Sequence, residues 1–147
     1  MRRPDLPADA VPAGDRVTVL AVASEHGLAQ LRRIIGHSRW TLLEAPTVAE
    51  AVASLREQSS VVLICEAVLP DGIWRDMLHY AERLEPPPPV IVAASHADDF
   101  LWMEVLNRGG YNVLAMPFDD QEVFRVVSLA WLHSRGKPRF GASAQAV

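Results

Sequence analysis

Five short apolar runs alternate along this chain with stretches whose apolar residues recur at helical spacing. That alternation constrains the fold more than any other feature. Strands and helices in strict turn build a parallel sheet covered by helices on both faces. The runs are Val17 to Val22, Trp40 to Leu43, Val61 to Cys65, Val90 to Ala94 and Val113 to Ala115. The first is nearly continuous in hydrophobicity, as a strand buried on both sides is. The β-branched pair Val61-Val62 favours strand in the third.

The intervening stretches carry helix signals. Leu28, Leu31, Ile34 and Ile35 share one side, with Arg32 and Arg33 on the other. Thr47-Val48-Ala49-Glu50 has capping-box spacing and opens a second helix facing inward through Ala51, Val52 and Leu55. Trp74, Met77, Leu78, Ala81 and Leu84 mark a third, which the extended run Pro86 to Pro89 ends. Ser95 is expected to cap a fourth, with Leu101, Trp102, Val105 and Leu106 inward and Gly109-Gly110 as its stop. Asp119 is expected to cap the last, which faces inward through Val123, Val127, Ala130 and Trp131. Residues 1–15, with Pro4, Pro7, Pro12 and Gly14, read as a flexible arm. Residues 16–135 read as one domain and 136–147 as a flexible tail.

Composition then narrows the chemistry. Of the 14 lysines and arginines, Lys137 alone is lysine, and it lies outside 16–135. The domain therefore holds no lysine for a Schiff base or a phosphate clamp. A net charge of -4 argues against a nucleic-acid partner, because counterion release needs a basic face. The single cysteine, Cys65, cannot pair within the chain, which suits a reducing cytoplasm. No apolar run approaches the roughly 20 residues of a membrane span, so no membrane partner is expected.

Three segments, by their order and spacing along the chain, carry a resemblance. Leu69-Pro70-Asp71-Gly72 follows the third strand, Thr47 to Leu55 opens the second helix, and Pro89 to Phe118 ends in Met116-Pro117-Phe118. From about Arg16 to Arg135 the chain resembles the receiver domain of two-component response regulators. The resemblance implies a flavodoxin-like α/β fold: a doubly wound five-stranded parallel sheet of order 2-1-3-4-5 with helices on both faces. It also implies a set of site positions, and this chain departs from nearly all of them. The phosphate-accepting aspartate, four residues before the loop proline, is Glu66. The acidic pair that holds Mg²⁺ is Ala23-Ser24, with Glu25 one place late. The hydroxyl position is Ala94, beside Ser95. The lysine position before Pro117 is Met116, and the aromatic switch position is Val113, with Tyr111 two residues earlier.

These departures imply a degenerate receiver. Phosphoryl transfer to a carboxylate is carried by charge neutralisation, and neither the acidic metal ligands nor the lysine is present. No cofactor is expected, Mg²⁺ binding is expected to be weak or absent, and no metal site or catalytic residue is assigned. Glu66 reads as a partly buried carboxylate satisfied by water or backbone amides; mimicry of a phosphorylated aspartate is the sharper alternative. Two further readings stay open: a regulator phosphorylated on Glu66, and a ligand-binding or enzymatic flavodoxin-like domain. The sequence after the first strand, Ala23-Ser24-Glu25-His26-Gly27, has no phosphate-cradling glycine pattern. His26, His37, His79, His96 and His133 lack ligand spacing, and Cys65 reads as an inert core thiol.

The last two helices carry apolar residues beyond one core stripe. Phe100, Met103, Val126 and Leu129 are the expected partner face, since extra apolar residues on neighbouring elements mark an interaction surface. The resemblance implies a histidine kinase or another signalling protein as partner. It also implies a homodimer through the last two helices and the fifth strand.

Overall fold

The computed structural model describes residues 17–145, with side chains through residue 134. The arm expected over 1–15 lies outside the described residues. Five parallel strands form the sheet: β1 (Thr18–Val22), β2 (Thr41–Ala45), β3 (Val62–Glu66), β4 (Val90–Ala94) and β5 (Asn112–Ala115). Their order is β2-β1-β3-β4-β5, the doubly wound order the resemblance implies. A separate hairpin pairs Val68–Leu69 with Gly72–Ile73. The helices are α1 (Glu25–Ile35), α2 (Val48–Glu57), α3 (Trp74–Glu82), α4 (Asp99–Asn107) and α5 (Asp120–Gln145).

Alternate residues of each central strand feed two cores. Val19 and Ala21 of β1, Val62 and Ile64 of β3, and Ile91 and Ala93 of β4 pack with Leu28, Leu31 and Ile34 of α1 and with α5. Leu20, Val22, Leu63, Cys65 and Val92 face the other way, onto Leu55 of α2, Met77 and Leu78 of α3, and Val105 of α4. Burial on both sides explains why these strands read as continuous apolar runs. β2 is the exception: on the sheet edge it keeps Thr41 and Glu44 exposed.

Four expectations change. Asp98, not Ser95, caps α4: its Oδ1 accepts from Leu101 N–H at 2.9 Å, and Ser95 stays exposed in the preceding turn. Trp102 and Leu106 are not inward; they are 46% and 37% exposed, while Val105 is fully buried. Apolar residues surround α4, so spacing alone does not say which row meets the sheet. Val126 is not on the outer face. It is 1% exposed, because Val123, Val126, Val127 and Ala130 fall at i, i+3, i+4 and i+7 and form one broad buried stripe. Finally, α5 runs to Gln145, so backbone that the sequence alone assigns to a tail from residue 136 is helical. A nucleated helix propagates at one hydrogen bond per residue even where apolar periodicity fades. Among the described residues, no helix is long and apolar enough to cross a membrane.

Candidate receiver pocket

In a doubly wound sheet the crevice lies beyond the carboxyl ends of the strands, where the strand order reverses. Here that point lies between β1 and β3, and the positions singled out from sequence gather at this edge. Ala23 and Ser24 directly follow β1, Glu66 ends β3, Ala94 ends β4, and Met116 directly follows β5. Met116 N–H donates to Ala94 O at 3.0 Å, and Ala67 N–H donates to Ala93 O at 2.8 Å, so the last strand ends are knitted together.

Glu66 is half-buried and points toward the start of α1. Its Oε1 accepts from Ser24 N–H at 2.8 Å. There the carboxylate meets the positive end of the helix dipole. Ser24 is the N-cap, in extended backbone, and its hydroxyl oxygen accepts from Gly27 N–H at 3.3 Å. A methyl group on Gly27 would lie 3.2 Å from Ala23 Cβ, 3.3 Å from Met116 Cε and 3.5 Å from Glu66 Oε1. One carboxylate and two apolar side chains therefore converge on this glycine, whose small size lets them.

The donor set does not fit Mg²⁺, which wants several oxygen ligands in octahedral array. Ala23 offers none, and the hydroxyl of Ser24 is engaged in capping. One Glu66 oxygen is held by a backbone amide. Glu25 is turned to Arg32, with Oε2 3.4 Å from its Nη1. Arg32 in turn grips Glu44 of β2 through two bonds of 2.9 and 2.8 Å, which hold the Glu44 carboxyl below its usual range. Among the described residues, no three His, Cys, Asp or Glu side chains gather into a metal-binding group.

Two residues that sequence reasoning passed over complete this edge. Gln30 is buried on the inner side of α1, and its Oε1 accepts from the buried Phe118 N–H at 2.9 Å. Its Nε2 lies 3.0 Å from His26 Nε2, so the imidazole nitrogen accepts there. A polar residue on an otherwise inward row was the available signal. Asp71 of the Leu-Pro-Asp-Gly loop reaches the start of α2. Its carboxylate accepts from Val48 N–H at 2.7 Å and Ala49 N–H at 3.1 Å, which draws its pKa down. Thr47 adds the expected cap, accepting from Glu50 N–H at 3.1 Å. A loop aspartate carries no mark in sequence of a partner 23 residues away.

The remaining residues fall as follows. Val113 is buried in the core under α4, whereas the Tyr111 ring lies 5.8 Å from that of His133 on the opposite side. Pro117 follows a cis peptide bond in the turn before α5. Cys65 is wholly buried, and desolvation, with Glu66 and Asp76 adding to it, pushes its thiol up to about 12. Phe100, Met103 and Leu129 are 73%, 59% and 45% exposed. Trp102 adds to them and ties α4 to β5, its Nε1 donating to Asn112 Oδ1 at 3.2 Å.

No family model matches the chain. It is 29% identical over 111 residues to the probable transcriptional regulatory protein TcrX of Mycobacterium tuberculosis (strain ATCC 25618 / H37Rv). That match takes in 75% of this chain and 47% of TcrX, so the chain spans about half the length of that relative. Among solved structures, it is similar to the signal receiver domain of an HD domain-containing protein from Pseudomonas fluorescens Pf-5. The TM-score is 0.73 at 27% identity, over 82% of this chain and 98% of that one. A response regulator receiver domain protein from Clostridium thermocellum shares the fold, with TM-score 0.73 and 18% identity over 81% and 97% of the two chains. The strand order, the loops gathered at the carboxyl edge and these likenesses together give the chain the fold of a response regulator receiver domain and make it similar to that family.

Proposed function

We propose that this receiver domain acts by protein–protein recognition and is not switched by aspartyl phosphate. The observation that carries this reading is the pairing of Glu66 with Ser24 N–H beside the apolar side chains of Ala23 and Met116, with Ala94 at the neighbouring strand end. An incoming phosphoryl group would meet a carboxylate that no lysine or arginine pairs with among the described residues. The charge that transfer must neutralise has no counterpart here, and loop motion does not supply one. The lysine position strengthens the point, since methionine replaces the cation with a methyl group facing Gly27.

We take the unit to be residues 16–135, non-enzymatic and cytoplasmic, with a protein partner such as a histidine kinase and no nucleic-acid target. The binding surface we assign is the outer side of α4 and α5 with β5. It centres on Phe100, Trp102 and Met103 of α4 and Leu129 of α5, the most exposed large apolar residues of these helices among the described residues. The same surface would serve a homodimer.

The test is an intact-mass measurement after incubation with Mg²⁺ and acetyl phosphate. The expected spectrum is that of the unmodified chain. A phosphoryl adduct that disappears in Glu66→Ala would overturn the proposal in favour of a regulator phosphorylated on glutamate. A retained small molecule in the native spectrum would favour a ligand-binding domain instead.

A further inference from the structure

Three connections meet at the carboxyl edge of the sheet, and each is fastened across the molecule by a side chain accepting a backbone N–H. Glu66 holds Ser24 N–H, joining β3 to the start of α1. Gln30 holds Phe118 N–H, joining α1 to the turn between β5 and α5. Asp71 holds Val48 and Ala49 N–H, joining the loop after β3 to the start of α2. The bonded residues are 42, 88 and 23 apart in sequence, so none of these is an ordinary local cap. The Gln30 bond is buried, and His26 on the amide nitrogen keeps the oxygen turned toward Phe118.

We propose that Glu66, Gln30 and Asp71 act together as fixed ties that hold this edge of the domain in one conformation without any ligand. The inference rests on the partner-binding reading above and gives it a structural means. Phe118 stands between β5 and α5, so the Gln30 tie sets the position of the surface that the partner meets. A ligand can switch a domain only if it interacts differently with two of its states. Here the ties are made from the chain's own acceptors, and the edge is closed before any ligand arrives.

Residue-resolved amide exchange on the full chain tests this. In the parent protein the Ser24, Val48 and Phe118 amides are expected to be protected. Gln30→Met keeps the length of the side chain and removes the acceptor. It should speed Phe118 exchange about tenfold or more, the scale of an unsatisfied buried amide, and leave Val48 unchanged. Asp71→Ala should do the converse. Because Asp71 is exposed, that variant keeps the test alive if Gln30→Met does not fold. Unchanged Phe118 exchange in a folded Gln30→Met protein, or unchanged Val48 exchange in Asp71→Ala, would overturn the ties. A phosphoryl adduct would instead overturn the partner-binding reading and leave these exchange results standing, so the two failures are distinct.

Discussion

Val126 and Leu129 lie three residues apart on α5, and truncating each to alanine should separate core from surface. Val126 is 1% exposed within the cluster of α1, α5 and the sheet. Removing two buried methyl groups forfeits roughly 1.6 kcal/mol of transfer free energy. The cavity left behind adds about 1 kcal/mol if the surroundings do not collapse, giving a total of about 2.5 kcal/mol. For a domain of this size that lowers Tm by roughly 6–12 °C. Leu129 is 45% exposed, so its truncation loses only part of the transfer term and gains slightly in helix propensity, for a cost below about 1 kcal/mol. Urea unfolding of the two variants, followed by tryptophan fluorescence and circular dichroism, measures both. Val126→Ala should move the midpoint strongly at unchanged slope, and Leu129→Ala barely. Equal losses, or the reverse order, would refute both the placement of α5 and the partner face drawn from it.

Other perturbations give equally definite expectations. With its thiol pushed up to about 12, Cys65 is thiolate in only about one molecule in 10⁴ at pH 8. Disulfide-exchange reagents should modify it quickly in denaturant and at least about 10³-fold more slowly in the native protein; comparable rates would contradict a structural thiol. Glu44 and Asp71 are held below their ordinary values of 4.5 and 3.8 by Arg32 and by the amides of Val48 and Ala49. What they add to stability is therefore fully present above those ordinary values and is lost as pH falls through the depressed folded ones. Glu44→Gln combined with Asp71→Asn should flatten the acid limb of the stability profile, and an unchanged limb would refute these pairings. Ala23→Asp with Ser24→Asp should create Mg²⁺ affinity readable by calorimetry, since aspartate still caps α1 and supplies hard oxygens. Met116→Lys alone should not.

The fold was legible because burial on both faces leaves a plain mark. β1, β3 and β4 are buried between two helical layers and appear as apolar runs. β2 was less sharply bounded because Glu44 on the sheet edge stays exposed and pairs with Arg32, so strand pairing continues to Ala45 after the apolar run has stopped. The cap of α4 slipped from Ser95 to Asp98 because both residues can cap and spacing does not choose between them. The pocket positions came from the resemblance alone, and they share one edge because parallel strands bring their carboxyl ends together whatever residues they carry. Gln30 left only a polar residue on an inward row as its mark, and Asp71 left none. Their partners, Phe118 and Val48, become neighbours only when the sheet has assembled, and a backbone amide has no signature in sequence.

The most direct test of the central claim is a heteronuclear NMR titration of the labelled protein with Mg²⁺ and beryllofluoride, which together stand in for the phosphorylated site. The backbone resonances of Ser24, Glu66, Ala94, Met116 and the α4–β5–α5 surface should keep their positions throughout if, as proposed, the pocket holds neither the metal ligands nor the cation for the pair. Saturable shifts starting at Glu66 and spreading to that surface would contradict the account and mark the domain as a working switch.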